Sequence, residues 1–234
     1  MKKENDAKNL KFKVNEIFKS VQGESSYAGL NCAFVRLSGC NLRCSYCDTQ
    51  YAYKYGRYLT AGEIIEKVDR LGAHIVELTG GEPLFQKDAR LLIDALADYV
   101  EGRSALRPNA IAPRLLIETS GSLSIKGINP KAVIIMDIKT PSSGCAGMME
   151  PENLKYIRPV DEIKFVIGDR DDYEYCKKII LDNSLTERCG VLLSAVYGRI
   201  KPEKIIGWML KDCIDARFQL QMHKYVWPAD KKGV

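Results

Sequence analysis

What most constrains this chain is an alternation along its 234 residues, in which short β-rich runs are separated by segments of helical period. The runs are AFVRLS (33–38), IVELTG (75–80), RLLIET (114–119), VIIMDIK (133–139), EIKFVIG (162–168), VLLSAV (191–196) and RFQLQM (217–222). Several are nearly continuous apolar stretches, as a parallel sheet covered on both faces requires. NEIFKSVQ (15–22) is a candidate for an earlier strand. Between the runs, TAGEIIEKVDRLG opens with Thr60 and Glu63 at the spacing of a capping box and puts Ile64, Ile65, Val68 and Leu71 on one face. Residues 88–100, 170–182 and 202–213 repeat the helical pattern, the last with Pro202 at its first position. The link between the third and fourth runs lacks a helical period, and GRSALRPNAIAP (102–113) reads as a surface loop. Six or seven βα units are too few for a closed barrel of eight. The expected fold is therefore α/β, a partial (incomplete) βα barrel of six to seven mostly parallel strands, with residues 1–234 forming a single domain. Its chemistry belongs at the C-terminal ends of the strands, where loops carry functional groups on a rigid scaffold.

Composition narrows the function classes. The 46% apolar content supports a sizeable core, and the net charge of +5 comes from 35 basic residues interspersed with 30 acidic ones, which does not indicate a nucleic-acid surface. Tyr51, Tyr53, Tyr55 and Tyr58 alternate with Lys54 and Arg57 in the manner of a base-stacking strip. A half-exposed loop or edge strand whose tyrosines lean on the core is the favoured reading of that segment. The N-terminus MKKENDAKNLKFK lacks an apolar run, and no stretch approaches the roughly 18 apolar residues of a membrane span, so a cytoplasmic protein with no membrane partner is expected. In a reducing compartment the eight cysteines are buried, metal-bound or catalytic sooner than paired. Cys32, Cys145, Cys176, Cys189 and Cys213 are scattered and read as core or incidental, with Cys176 and Cys213 on apolar helix positions.

Cys40, Cys44 and Cys47 are different, because they crowd into GCNLRCSYCDT just after a predicted strand. Structural zinc wants four ligands, and His74 and His223 form no ligand-type pair, although a distant cysteine could complete a zinc site. An iron–sulfur cluster held by three thiolates leaves one iron open to an outside ligand. The spacing alone leaves both metals open.

Two motifs together resemble the radical S-adenosylmethionine (SAM) superfamily: CxxxCxxC at 40–47 and, one βα unit later, LTGGEPL at 78–84. The resemblance implies a 4Fe-4S cluster on Cys40, Cys44 and Cys47. It also implies SAM bound by Tyr46, Cys47, Asp48 and the glycine-rich segment Gly80, Gly81 and Glu82. Gly80 and Gly81 lack Cβ and so admit close approach to the backbone, while Pro83 fixes the turn. Thr119 and Ser120 in IETSG, and Asp137 and Lys139 in MDIK, stand at strand ends suited to ribose hydroxyls and a carboxylate. Asp137 and Lys139 share one face of their strand.

Residues outside these motifs narrow the resemblance. EIFKSVQGESSYAG (16–29), FVRLSGC (34–40) and CDTQYAY (47–53) are similar to the 7-carboxy-7-deazaguanine synthases of queuosine and 7-deazapurine biosynthesis, and the similarity runs from Asn15 to the last residue. That resemblance implies conversion of 6-carboxy-5,6,7,8-tetrahydropterin to 7-carboxy-7-deazaguanine with release of ammonia. It implies a substrate site at Val21, Gln22, Gly23, Glu24, Arg36, Thr79, His223 and the C-terminal carboxylate of Val234, with Mg²⁺ on Thr49. Chemically, Gln22 and Glu24 can pair an amidine and lactam edge, and the Arg36 fork suits a carboxylate. The implied partners are the pterin, an electron donor such as flavodoxin or ferredoxin, and a second copy in a homodimer. The family usually reads QGEG, and Ser25 stands in place of the second glycine. The competing readings are a glycyl-radical-enzyme activase, which shares the cluster and GGEP motifs, and a metal-stabilised RNA-binding module built on the tyrosine strip. No catalytic general base is assigned.

Overall fold

A computed structural model describes residues 9–104 and 114–234. The stretch 105–113, which holds most of the expected 102–113 loop, lies outside the described residues.

Among the described residues nine strands form one sheet: β1 (Lys11–Val21), β2 (Asn31–Leu37), β3 (Arg57–Thr60), β4 (Ile75–Gly80), β5 (Arg114–Thr119), β6 (Ala132–Ile138), β7 (Glu162–Ile167), β8 (Gly190–Ala195) and β9 (Arg217–Phe218). Their spatial order is β3-β1-β2-β4-β5-β6-β7-β8-β9. From β2 through β4 to β9 every pairing is parallel, and β1 lies antiparallel to both β2 and β3. The parallel strands coincide with the seven runs read from the sequence. The two antiparallel ones extend the open sheet at its N-terminal edge, and β3 is the edge strand of the tyrosine segment.

Helices α1 (Ala61–Leu71), α2 (Ala89–Ser104), α3 (Arg170–Asp182), α4 (Leu185–Arg188) and α5 (Pro202–Asp212) follow strands along the chain, and α6 (His223–Val226) follows β9. The Thr60–Glu63 capping box forms in both directions, and Gly72 closes α1 in the left-handed conformation at φ 65°. Ile64 and Val68 of α1 bury against Val35, Val76 and Leu78 in one core. Tyr173, Cys176 and Ile205 bury against Ile163, Phe165 and Leu193 in a second.

Three expectations need correction. The helix read as 88–100 continues to Ser104, into the segment expected to be loop. The run 217–222 is strand only at Arg217–Phe218: the Gln219 N–H still donates to the Leu193 carbonyl at 2.9 Å, but from there the chain turns to the loop after β1, where Gln219 Oε1 accepts from the Ser25 N–H at 2.6 Å and Gln221 Nε2 donates to Glu24 at 2.9 Å. Cys213 is not on an apolar helix face; it is exposed and ends α5 in the left-handed region at φ 51°. The helix-free link between β5 and β6 is as expected. Buried Asn153 holds it, donating to the carbonyls of Gly121 and Leu123 and accepting from the Ile125 N–H, all at 2.9 Å.

The inner face of the sheet positions the site. Cys32, Phe34, Ile75, Leu116, Val133 and Ile135 make an apolar floor, on which Phe18 stacks against Phe34 at 4.9 Å. Two-residue alternation along the same strands then brings Arg36, Glu77, Thr79, Glu118, Asp137 and Lys164 onto that face.

Candidate active site

The strand ends and their loops enclose a cavity of about 620 Å³. The loop after β2 brings Cys40, Cys44 and Cys47 to its wall, clustered with Leu42 and buried Cys145. Cys145, which the sequence reading treats as incidental, thus sits against the thiol group. The 140–148 segment is tied to the cysteine loop: the Ser45 N–H donates to the Ser143 carbonyl and Ser45 Oγ to the Ser142 carbonyl at 2.7 Å. Burial pushes the Cys44 thiol up to about 12, so binding a metal there must release protons. Thr49 Oγ1 stands 3.7 Å from Cys47 Sγ. Tyr46 reaches across the cavity wall, its hydroxyl donating to the Val166 carbonyl at 3.2 Å and pairing with Thr140 at 3.1 Å.

Gly80 and Gly81 also line the cavity, but the structure supplies a different reason for glycine. A Cβ on Gly80 would meet the Leu37 carbonyl at 2.5 Å, and one on Gly81 would collide with the Gly39 carbonyl and Cys40. The missing side chains let the cysteine loop itself pack onto the strand end. Glu82 is fully buried behind that contact and outside the cavity wall. Its carboxylate accepts from Thr119 Oγ1 at 2.8 Å, Leu84 N at 3.0 Å, Ser120 N at 2.8 Å and Ser120 Oγ at 2.6 Å. Glu82 fixes the two strand ends, while Ser120 still reaches the cavity.

Asp137 and Lys139 pair at 2.8 Å on the cavity wall. Burial disfavours the Lys139 ammonium, but Asp137 outweighs it and keeps the group charged. Asp137 Oδ1 is buried with no partner among the described residues, an acceptor left over for a ligand.

On the opposite side, Val21, Gln22, Gly23 and Glu24 follow β1 into the cavity, facing Arg36, Thr79, His223 and Val234. The Arg36 Nε binds Glu16 at 2.8 Å, which anchors the guanidinium from outside. Ser25 takes φ 63°, the region glycine favours, so the departure from QGEG keeps the turn; its Oγ accepts from the Tyr27 N–H at 3.1 Å. The residues after β9 close the mouth. Met222 N–H donates to the Gly23 carbonyl at 2.9 Å, and Lys224 Nζ pairs with Asp48 at 2.7 Å. Burial would raise the Asp48 carboxyl, yet Lys224 holds it below its usual range. Tyr51 donates to Glu16 at 2.8 Å and lies 4.4 Å under Lys232, while Tyr55 and Tyr58 are exposed.

Among the polar cavity residues that escape the sequence reading, Glu77, Glu118 and Lys164 stand within strands. Their signal was present as one charge inside an otherwise apolar strand run, since a buried charge without a partner is too costly to be kept there. Burial and the neighbouring Glu118 push the Glu77 carboxyl well up, which favours its protonated form, and it is bonded to the Gln22 amide.

Comparison with known proteins is decisive. Residues 34–141 match the radical SAM superfamily model. The 7-carboxy-7-deazaguanine synthase of Chlorobaculum tepidum is 39% identical over 94% of this chain and 96% of its own, and that of Koribacter versatilis 38% over 94% and 99%. The chain belongs to the 7-carboxy-7-deazaguanine synthase family. The crystal structure of QueE from Escherichia coli superposes with a TM-score of 0.72 at 20% identity, covering 95% of this chain and 99% of that one, which shows the shared fold. As a radical SAM member the chain takes a 4Fe-4S cluster and SAM. The residues fit them: Cys40, Cys44 and Cys47 line the cavity while Cys145 stays outside its wall, so three thiolates would leave one iron position open, and the orphaned Asp137 oxygen belongs to the same cavity.

Proposed function

We propose that this chain is the lyase that converts 6-carboxy-5,6,7,8-tetrahydropterin to 7-carboxy-7-deazaguanine with release of ammonia. The observation that carries the reading is that the three cysteines and the Gln22–Glu24 loop with Arg36 line one cavity from opposite sides. A ligand there lies between a metal-ligating wall and a polar wall suited to a carboxylated, guanidine-like heterocycle.

Cys40, Cys44 and Cys47 would hold the cluster, and Gly80, Gly81, Ser120, Asp137 and Lys139 the SAM. When bound, these groups would supply one-electron hydrogen-abstraction chemistry toward the pterin. The chain's own residues do the rest by binding and orientation. Arg36, fixed from behind by Glu16, offers its remaining N–H groups to the substrate carboxylate. Gln22 and Glu24 pair the amidine edge, and residues 229–234, ending at Val234, lie over the cavity and exclude water. Thr49 would supply the hydroxyl for a Mg²⁺ shared with substrate oxygens, an ion that keeps several waters of its own. A flavodoxin or ferredoxin as donor, a homodimer and a cytoplasmic location complete the reading. No helix among the described residues is long and apolar enough to cross a membrane.

Anaerobic reconstitution should give about four irons per chain and a cluster spectrum that changes with SAM. Turnover of the pterin with release of ammonia is the deciding measurement. Full activity after changing any one of the three cysteines to Ala, or peptide-radical formation on a glycyl-radical enzyme in place of pterin turnover, would overturn it.

A further inference from the structure

Lys164 projects from the middle of β7 onto the inner face and is almost wholly buried, although it lines the cavity. Its ammonium binds Glu24 Oε2 at 2.7 Å and Glu118 Oε1 at 2.5 Å, with Asp137 Oδ2 3.6 Å away. Those three carboxylates come from the loop after β1, from β5 and from β6, so one cation joins both walls of the cavity. Each of the first two carboxylates has a further donor: Gln221 Nε2 on Glu24 Oε1 at 2.9 Å and Thr79 Oγ1 on Glu118 Oε2 at 3.1 Å. Every oxygen keeps a second lone pair, and both carboxylates line the cavity.

We propose that Lys164 is a positioning residue for the substrate: its ammonium clamps Glu24 and Glu118 together as adjacent acceptors, which selects a ligand with neighbouring N–H donors such as an aminopyrimidinone edge. The inference rests on the pterin reading and names what sets specificity within it. A lysine serving packing alone would not be ringed by carboxylates in a ligand cavity, where burial of a charge is costly unless the geometry is good. Burial works against the ammonium, but Glu118, Glu24 and Asp137 outweigh it, and Lys164 in turn brings half-buried Glu118 down to about 2. The other groups facing this set are Glu77 from β4, Arg36 from β2, Lys139 after β6 and His223 from α6. Without the ammonium, Glu24 and Glu118 repel each other, take up a proton at higher pH and lose their alignment.

The test uses cluster-loaded protein with SAM. Binding of 6-carboxypterin is measured by fluorescence quenching, and turnover of 6-carboxy-5,6,7,8-tetrahydropterin is followed across pH. Lys164→Met should weaken 6-carboxypterin binding and raise KM by about tenfold or more, as expected for loss of one charge-assisted contact. It should also move the acid limb of the kcat/KM profile to higher pH, while the SAM-induced change in the cluster spectrum persists. Lys164→Arg, which keeps the charge, should recover most of the binding. Lys164→Met with native pterin affinity and an unmoved acid limb overturns the inference alone. Loss of the SAM response in both variants marks a structural role and overturns it too. Wild type that neither binds nor converts the pterin overturns the functional reading, and this inference with it.

Discussion

Glu82 offers a sharp test of what the glycine-rich motif does in this chain. Its carboxylate is fully buried and accepts hydrogen bonds from two backbone N–H groups, of Leu84 and Ser120, and from the hydroxyls of Thr119 and Ser120. In Glu82→Gln one side of the group becomes an NH₂, which cannot accept. The hydroxyls can rotate to suit it, but one of the two backbone N–H groups then faces a donor and is orphaned. An orphaned buried donor costs about 1–3 kcal/mol and the lost charge assistance about 1 kcal/mol more, for a total near 3 kcal/mol. In a chain this long that corresponds to roughly 6–12 °C in Tm. The assay is thermal unfolding of cluster-free protein followed by far-UV circular dichroism, where no ligand contributes. Glu82→Ala, which orphans both N–H groups, should be worse. If Glu82→Gln unfolds within about 2 °C of wild type and yet loses SAM binding, the side chain serves as a ligand for SAM and the structural account is wrong.

Ser25→Gly should shift stability by less than about 1 kcal/mol, because relief at φ 63° offsets the lost Tyr27 hydrogen bond; Ser25→Val, β-branched at the same φ, should cost about 2 kcal/mol or more by urea unfolding. Glu77→Gln should stabilise the protein increasingly above about pH 4.3, the ordinary glutamate value. The raised Glu77 carboxyl contributes most below that value and loses its contribution as pH rises toward its folded value, so a variant no better at pH 8 than at pH 5 would refute the neutral assignment. Lys224→Met should release the closing segment, seen as faster amide exchange in α6 with the exchange of β4 to β7 unchanged. In wild type the same release should appear as pH falls through the carboxylate range, since Asp48 is held low by Lys224.

The parallel strands were legible because each is a short apolar run punctuated by helical period or turn chemistry, a pattern that buried parallel sheets impose. β3 was harder. RYLT has four residues at a sheet edge, with exposed Arg57 and Tyr58, so nothing in its pattern separates strand from loop. The last run misled because Gln219 and Gln221 alternate as a strand would, yet spend their side chains on the loop after β1. In the site, the cysteine spacing and the QGE segment are local motifs, so a family resemblance could carry them where spacing alone left the metal open and the QGE turn unassigned. The set of Lys164, Glu118 and Glu24 spans residues 24 to 164 and exists only once register is fixed, because a one-residue slip of β5 or β7 would turn Glu118 or Lys164 to the helix side. Glu82 carries the opposite lesson, since a motif can be read correctly while its acidic side chain spends all its acceptors inside the protein.

The closing of the mouth has a consequence for how the cavity is reached. Residues 219–222 reach the loop after β1 through side chains and single backbone hydrogen bonds, not through a strand ladder. The two flanks of the open sheet are therefore joined by a seam that can part without breaking any of its strand pairings. Parting it would open the cavity, with its three thiols, while the sheet stays assembled; closing it turns an open trough into a chamber.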